Sequence, residues 1–358
     1  MAENRPQRVV TSTGRRGRPR QAEVARLAGV SQTTVSLVLG GNKQGIALHA
    51  ETRERVLEAA RELGYVPDPA ARRLAAARNN LLGVFSFTGT FPTAVEHSYY
   101  PFLVGVEQEA AARGFDLVLF TGSSPGGALE RVRLADGCLF LGRHVPADAL
   151  RRLVDDGYPA VHIGRRDELS GLAWVGADYV DASAEVVRRL AAFGHRRVVL
   201  VREDDDAPAS TDRERGFRTA LAEAGLAGPP GGAEPVVRVA EPASGITPEW
   251  VRARRDEGVT AFVAEETDTG AAWRALLTAV EGAGLSAPAD VSLALLGSPP
   301  ADLAGRPEPT GFEIPRAELG AAAVRTLTAL LTEGEPDARP LVACAFRAGR
   351  TAGPPPGM

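Results

Sequence analysis

The side chains best suited to reading another molecule lie in a short polar stretch near the start of the chain. They are Ser31, Gln32, Thr33, Thr34, Ser36 and Leu37. On a helix, hydroxyl and amide groups of this kind can contact base edges in the major groove of DNA, and a leucine can lie against a thymine methyl group. The pattern predicts a DNA-reading helix, although this stretch alone leaves an ordinary helical hairpin open.

Two short helices joined by a tight turn would position these side chains. Val24, Leu27 and Ala28 give the first helix an apolar face at helical spacing. Gly29 can adopt the positive φ that a sharp corner needs, and Ser31 is a favourable N-cap for the second helix. The second helix is expected to bury Val35, Val38 and Leu39.

A third helix and a short hinge are predicted after this pair. Residues 52–63 have helical spacing, and Gly64 is placed to end that helix. Residues 67–79 read as a hinge helix and linker, in which Asp68 is a good N-cap and Pro69 suits the first helical position. Helices shorter than about 12 residues are marginal in water, so we expect the hinge helix to form only against a docked partner.

The charge of the chain is unevenly distributed. Residues 1–80 carry 14 basic and 7 acidic side chains, whereas the whole chain of 358 residues has a formal net charge of −4. A basic head on an acidic body predicts a polyanionic partner for the head. Residues 1–19 are expected to form a disordered basic arm, which either follows phosphate groups or only keeps the chain in solution. No apolar run suits a secretory signal or a membrane span of about 20 residues.

From residue 80 onward, apolar segments alternate with amphipathic helical patterns. The predicted strands are 81–87, 116–120, 137–141, 160–163, 197–201, 261–264 and 291–296, with a further apolar segment at 173–176. The predicted helices are 102–113, 146–155, 182–193, 213–224, 247–256 and 269–283. Such alternation is typical of an α/β fold with doubly wound parallel sheets, here two in succession. Ligands of such sheets bind at the carboxyl ends of the strands, which predicts a pocket between two lobes.

Enzymatic chemistry has little support in the sequence. The two cysteines, Cys138 and Cys344, are far apart and fit no metal-ligand spacing, which favours a reducing cytoplasm over a disulfide framework or a metal site. His195 has no nucleophile signature beside it and is expected to be a turn residue. Neither GxGxxG nor GxxxxGK[ST] occurs. We therefore expect a protein that is not an enzyme and needs no cofactor.

Several motifs together resemble the lactose-repressor (LacI) family. They are VARLAGVSQTTVS at 24–36, YVPDPAARRL at 65–74, GHRRV at 194–198 and RERGF at 213–217. The resemblance implies a three-helix helix-turn-helix head (20–66), a hinge helix and linker (67–79), and a bilobal, periplasmic-binding-protein-like core for effector binding and dimerisation (80–358). By the same resemblance, the chain would cross between the lobes near residues 190, 305 and 334.

The resemblance also implies roles for particular residues. Tyr65 and Leu74 would join the second helix in contacting DNA, because a hinge leucine in this family wedges into the minor groove of bent DNA. The alternative for Leu74 is a core position in the next domain. The residues at effector-contacting positions are Tyr100, Phe102, Asp178, Arg213, Phe217 and Glu265. For Arg213 the alternative is an ion pair on its own helix, and for the aromatic side chains it is lobe core.

Three departures from the family pattern bear on specificity. Leu37 stands where many members have an arginine that reads guanine. In the core, Glu265 replaces a common asparagine, and Gly297 stands where a sugar-binding carboxylate is common. We therefore expect common monosaccharides to bind weakly, which leaves the identity of a sugar or sugar-like effector open.

The resemblance as a whole predicts a cytoplasmic, homodimeric transcriptional regulator. It would act as a repressor that binds double-stranded operator DNA and whose affinity responds to a small molecule held between the lobes. A bilobal solute-binding protein without a DNA role is the alternative. That protein would need a signal peptide and would have no use for residues 20–76.

Overall fold

The computed structural model describes residues 19–39, 48–65, 79–87, 96–121, 129–226, 234–303, 306–334 and 339–357. The chain divides into two compact units, one up to Asn79 and the other from Asn80 onward. The predicted basic arm, apart from Pro19, lies outside the described residues, as does the predicted hinge helix with Leu74.

The first unit, as far as it is described, is a small helical bundle. Its helices are α1 (Gln21–Ala28), α2 (Gln32–Leu39) and α3 (Ala50–Glu62). Each helix contributes one fully buried valine to a shared core, namely Val24, Val35 and Val56. The apolar spacing of the sequence therefore predicted the three helices and two of these valines, Val24 and Val35.

The tight turn between α1 and α2 has the predicted geometry. Gly29 adopts a φ of +65°, and Ser31 Oγ accepts a hydrogen bond from the Thr34 backbone N–H at 3.0 Å, which caps α2. The prediction for Leu27 was wrong, since its side chain is 48% exposed. Around the axis of α1, Leu27 lies on one side of Val24 and the other buried residues lie on the opposite side. The Leu27 side chain therefore faces away from the core.

The second unit contains two sheets of six strands each. The first has β1 (Leu81–Ser86), β2 (Asp116–Thr121), β3 (Gly137–Leu141), β4 (Ala160–Ile163), β5 (Ala173–Ala177) and β11 (Leu341–Val342). The second has β6 (Val198–Glu203), β7 (Val236–Val239), β8 (Ala261–Glu265), β9 (Ser292–Leu296), β10 (Thr310–Glu313) and β12 (Ala345–Arg347).

The strand orders are β11-β5-β4-β3-β1-β2 and β12-β10-β9-β8-β6-β7. Neighbouring strands are parallel except for the β10–β12 pair at one edge of the second sheet, which is antiparallel. The central strands are buried on both faces, as expected when helices cover both sides of a parallel sheet. The predicted α/β architecture with two successive parallel sheets is confirmed.

The helices of the second unit are α4 (Glu96–Ala112), α5 (Ala147–Asp155), α6 (Tyr179–Ala192), α7 (Pro208–Glu223), α8 (Pro242–Gly245), α9 (Pro248–Asp256), α10 (Ala271–Gly282) and α11 (Arg316–Glu333). Three of them, α4, α6 and α7, begin earlier than their apolar spacing predicted. Asp178 caps α6 by accepting a hydrogen bond from the Asp181 N–H at 3.1 Å, and a proline occupies the first turn of α7. None of the helices in the described ranges is both long and apolar enough to cross a membrane.

The chain passes between the two lobes at positions that differ from all three predicted ones. It leaves the first sheet after Ala177, since α6 already packs against α7 and strands of the second sheet. It returns after Glu313, because α11 packs against α4 and the strands β3, β4 and β5. The last crossing separates β11 from β12, at residues 343–344. The crossings near 190, 305 and 334 were wrong because α6 belongs to the second lobe and α11 to the first.

Helices α4 and α11 cross with their backbones almost in contact. A Cβ atom on Gly105 would lie 1.8 Å from the Ala317 carbonyl oxygen, and one on Gly320 would lie 2.2 Å from the Phe102 carbonyl oxygen. Only glycine fits at such a distance. This crossing fixes the start of α4, which carries aromatic side chains to the edge of the first lobe.

Candidate functional site

The first candidate surface is the outer face of α2. Gln32, Thr33 and Ser36 are exposed there, and Leu37 is half-buried. Thr34 is half-buried as well, and its hydroxyl lies 2.9 Å from Ser31 Oγ. Thr34 therefore belongs to the helix cap, and the three exposed side chains form the polar face.

The two other residues predicted to contact DNA lie elsewhere. Tyr65 is half-buried and packs against the apolar core of the head, while its backbone N–H donates to the Ala60 carbonyl at 2.8 Å. This packing fixes Tyr65 at the end of α3. Leu74 is outside the described residues, and its role stays a prediction.

The second candidate site is a cleft between the lobes of the second unit, with an empty volume of about 880 Å³. Its walls come from the carboxyl ends of β3, β4 and β5 in the first lobe and from the segment after β8 and the start of α7 in the second. This is where parallel sheets place ligand contacts, as the sequence predicted. The start of α11, with Arg316, closes one side.

Arg213 is the best-anchored charge in this cleft. It is 2% exposed, its Nε donates to the Leu296 carbonyl at 2.9 Å, and its Nη2 donates to Glu266 Oε2 at 3.1 Å. The guanidinium also lies 3.9 Å from the centre of the Tyr179 ring, a cation–π contact. Glu266 accepts a second bond from Arg316 at 2.6 Å. Arg213 is thus held rigid, by a partner on another element and not by an acid of its own helix.

Several polar contacts join one lobe directly to the other across the cleft. Tyr99 on α4 donates to Asp268 Oδ2 at 3.1 Å. From the loop after β3, Arg143 Nε donates to Asp205 Oδ2 at 2.5 Å and its Nη2 to Ser210 at 2.7 Å. A further contact joins Arg165, after β4, to Asp212 on α7. The lobes are therefore drawn together by ion pairs and hydrogen bonds at the mouth of the site.

Glu265 lies behind the cleft wall and is completely buried. Its Oε1 accepts a hydrogen bond from Ser210 and lies 3.6 Å from Arg143 and 3.9 Å from Arg213. Its Oε2 is buried without a hydrogen-bond partner among the described residues. Burial raises the pKa of Glu265 above its ordinary value of 4.5, and the two arginines oppose that rise only in part.

Glu265→Gln is expected to make the thermal stability of the protein less dependent on pH. The folded state binds the Glu265 proton more tightly than the unfolded chain, because its pKa is raised from 4.5. The stability from this proton is complete below that value and is lost as pH rises through the folded-state pKa. As the pH rises above 4.5, the wild-type Tm should therefore fall further than that of the variant. The exposed Glu107 gives a control, Glu107→Gln, that should follow wild type. Parallel profiles for wild type and Glu265→Gln would contradict the assignment.

Not all of the predicted effector residues line the cleft. Phe102 and Arg213 do, whereas Tyr100 is 63% exposed and the adjacent Tyr99 takes its place, since one helical residue turns the side chain by about 100°. The side chain of Asp178 caps α6. Phe217 lies one turn beyond Arg213 and is buried in the core. The predictions of a lining role for Tyr100, Asp178, Phe217 and Glu265 are corrected accordingly.

Sequence reasoning missed several charged residues of the cleft. They are Arg143, Arg165, Arg166, Glu266 and Arg316. Each follows a strand or begins a helix at the carboxyl edge of a sheet, and this position was the signal that could have identified them. His195, by contrast, is a buried turn residue as predicted. Its ring nitrogens contact Thr260 at 2.8 Å and Ser292 at 2.9 Å, and burial lowers its pKa.

Comparisons with known protein families cover both units. The model for bacterial regulatory proteins of the lacI family matches residues 22–68. The model for periplasmic binding proteins and the sugar-binding domain of the LacI family matches residues 91–234, and that for a periplasmic binding protein-like domain matches residues 187–351. The chain belongs to the LacI family. The resemblance proposed from the sequence motifs is confirmed.

Curated relatives of this LacI-family protein are transcriptional regulators. The HTH-type transcriptional regulator CelR of Thermobifida fusca is 34% identical over 59% of this chain and 64% of its own length. AscG of Escherichia coli (strain K12) is 30% identical over 57% of this chain and 61% of its own length. The matched region thus spans less than two thirds of these proteins. Catabolite control protein A of Priestia megaterium is 27% identical over 86% of this chain and 90% of its own length.

Solved structures of the family share the fold. The structure of a CelR–cellobiose complex is similar to this one, with a TM-score of 0.62 and 27% sequence identity. The match covers 93% of this chain and 100% of the CelR chain. The lac repressor dimer bound to operator and the anti-inducer ONPF superposes with a TM-score of 0.70 at 21% identity, over 92% of this chain and 97% of the other. The bilobal, periplasmic-binding-protein-like core predicted from the sequence is therefore confirmed.

Proposed function

We propose that this protein is a transcriptional regulator, acting as a repressor, whose affinity for operator DNA is set by a small molecule in the cleft. One observation carries the proposal. The same chain joins a helix-turn-helix head, whose α2 exposes Gln32, Thr33 and Ser36, to a two-lobed unit with a lined cleft. A solute-binding protein or an enzyme would have no use for that head. A cytoplasmic location follows from a partner that is genomic DNA.

The DNA-bound form is proposed to be a homodimer on a near-palindromic operator. One small head makes too few contacts for specific binding, whereas two heads on adjacent half-sites reach useful affinity. In this arrangement residues 1–19 would follow phosphates and residues 67–79 would form the hinge. Leu74 would enter the minor groove as an apolar wedge, a device that kinks the duplex.

DNase footprinting on the DNA that flanks the gene for this protein tests the proposal. We expect protection of two half-sites about one helical turn apart, by a species that is dimeric in sedimentation analysis. An excess of unrelated DNA controls for non-specific binding. A monomer that protects one half-site would contradict the dimer, and the absence of any sequence-specific footprint would contradict the regulatory function.

Leu37→Arg is expected to change the base preference of the protein toward guanine at one symmetric position of each half-site. An arginine on the DNA-reading helix can bind guanine through two hydrogen bonds, which is worth about 1–3 kcal/mol of discrimination. Selection of preferred sites from a random DNA pool measures the change. The matched control is Leu57→Arg, which adds the same charge at an exposed position of α3. An unchanged preferred sequence would mean that residue 37 does not face the bases.

The effector is proposed to lie against Tyr99, Phe102 and Arg213, with Glu266 as a fixed acceptor. Cleft ligands act by binding one arrangement of the lobes better than another, and they change DNA affinity only by that difference. Because Gly297 carries no side chain where a sugar-binding carboxylate is common in the family, simple hexoses are expected to bind weakly.

A further inference from the structure

Three arginines of the first lobe stand together on the cleft wall. Arg143 follows β3, and Arg165 and Arg166 follow β4, so all three lie at the carboxyl edge of one sheet. All three line the cleft. We call this set the arginine wall.

Two members of the arginine wall have donor groups that nothing accepts. The Nε–H groups of Arg165 and Arg166 are buried without a hydrogen-bond partner among the described residues. Arg166 is only 4% exposed, and its Nη2 is already committed to the carbonyl oxygens of Gly142 and Arg143 at 2.7 and 2.8 Å. A buried charged donor without an acceptor is costly, so these two guanidinium groups lack part of the compensation that a nearby anion would supply.

The counter-ions of the arginine wall come mainly from the opposite lobe. Asp205 pairs with Arg143 and Asp212 pairs with Arg165, and both acids belong to the second lobe. Within its own lobe, Arg165 also pairs with Asp167 at 3.1 Å and Arg166 lies 3.9 Å from Glu168, but both of these acid side chains are 53% exposed. When the lobes separate to admit a ligand, the wall therefore keeps its charge but loses its buried partners.

The cleft surface as a whole carries more positive than negative charge. Five arginines line it, against the acids Asp212, Glu266 and Asp268. The remaining buried acid, Glu265, lies behind the wall, and burial favours its neutral form. His162, at the end of β4, is also neutral, because burial and the adjacent Arg166 lower its pKa to about 3.

We propose that the effector carries an anionic group, a carboxylate or a phosphate, that binds to the arginine wall. Guanidinium groups bind the two oxygens of a carboxylate and the oxygens of a phosphate through paired, charge-assisted hydrogen bonds. The apolar rings of Tyr99 and Phe102 would cover the rest of the molecule. The proposal rests on the proposed function only in placing the effector in the cleft.

Calorimetric titration of the full-length protein with pairs of sugars that differ in charge tests this assignment. The pairs are glucuronate with glucose, cellobionate with cellobiose, and glucose 6-phosphate with glucose. At least one anionic member should bind about tenfold or more tightly than its neutral counterpart, a difference of about 1.4 kcal/mol. The carboxylate and phosphate arms identify which anion the wall prefers.

Two variants connect that preference to the wall. Arg165→Gln should remove most of the advantage of the anionic ligand, and the fold should persist because Asp212 keeps Arg215 at 2.9 Å. Arg166→Lys keeps the charge but loses the fork of donors and should weaken the anionic ligand partially. Arg188→Gln, at a side chain 45% exposed on α6, should bind as wild type does.

The outcomes separate this inference from the proposed function. Three results would each overturn the inference. They are neutral sugars that bind as tightly as their anionic counterparts, no saturable binding of any anionic probe at millimolar concentration, and a preference for the anionic ligand that survives Arg165→Gln. All of these titrations are made without DNA. A protein that fails to bind any operator but still prefers the anions would refute the proposed function and leave the arginine wall in place.

Discussion

Raising the salt concentration from about 50 mM to about 200 mM is expected to weaken operator binding by about a thousandfold to a hundred-thousandfold. Residues 1–80 hold 14 basic side chains against 7 acidic ones, so each head meets the phosphate backbone as a cation. Every phosphate neutralised by an arginine releases bound counter-ions, and a complex with about six to ten such contacts follows this dependence. Two heads in a dimer provide contacts of this number.

Fluorescence anisotropy with a labelled operator measures this dependence directly. The logarithm of the binding constant should fall linearly with the logarithm of the salt concentration. Effector binding to the cleft, measured in the same buffers, serves as an internal control because its ion pairs are largely buried and less screened. A nearly flat slope for DNA would show that the basic side chains of the head do not meet phosphates.

Arg213→Met is expected to destabilise the second unit by about 3–5 kcal/mol. Arg213 is 2% exposed and its Nη2 donates to Glu266 at 3.1 Å. Glu265 lies 3.9 Å away on its other side. Removing the guanidinium leaves the buried Glu266 carboxylate short of positive charge, and that uncompensated charge costs more than the ion pair itself contributes. Denaturant unfolding followed by tryptophan fluorescence measures the change.

Two further variants show whether this loss comes from the buried acids. Arg218→Met lies on the same helix at a side chain 43% exposed, and it should cost no more than about 1 kcal/mol. The double variant Arg213→Met, Glu266→Met should recover part of the stability, since it removes the Glu266 carboxylate together with its arginine partner. An Arg213→Met protein as stable as the Arg218→Met control would contradict the described network.

The sequence was most informative where burial alone determines structure. Strands such as β3 and β4 were predicted with their observed bounds, because an apolar run buried on both faces has few alternatives. Among those not predicted, β7 is a partly exposed run of four residues and β11 has only two residues, so neither apolar run is long enough to indicate a strand. These edge strands depend on pairing with neighbours that the local sequence does not show.

The same contrast holds for the cleft. Phe102 and Arg213 could be assigned because the family resemblance places both at effector-contacting positions, whereas Arg143 and Arg165 meet acids that lie 62 and 47 residues further along the chain. Those contacts exist only once the two lobes have folded and met. Local spacing in the sequence carries no information about contacts between the lobes. The sequence around a carboxylate near the end of a strand therefore does not show whether that carboxylate forms an ion pair.

The positions of the three crossings also determine the order in which this chain can fold. The first lobe takes its sheet from residues 81–177 and again from β11, and it takes the covering helix α11 from residues after 315. During synthesis, strands β1 to β5 must therefore wait, with one face covered only in part by α4, until the whole second lobe has been made. Contacts over such sequence distances close slowly, and exposed sheet faces aggregate. The lobe that is made first is thus among the last parts of the chain to be completed.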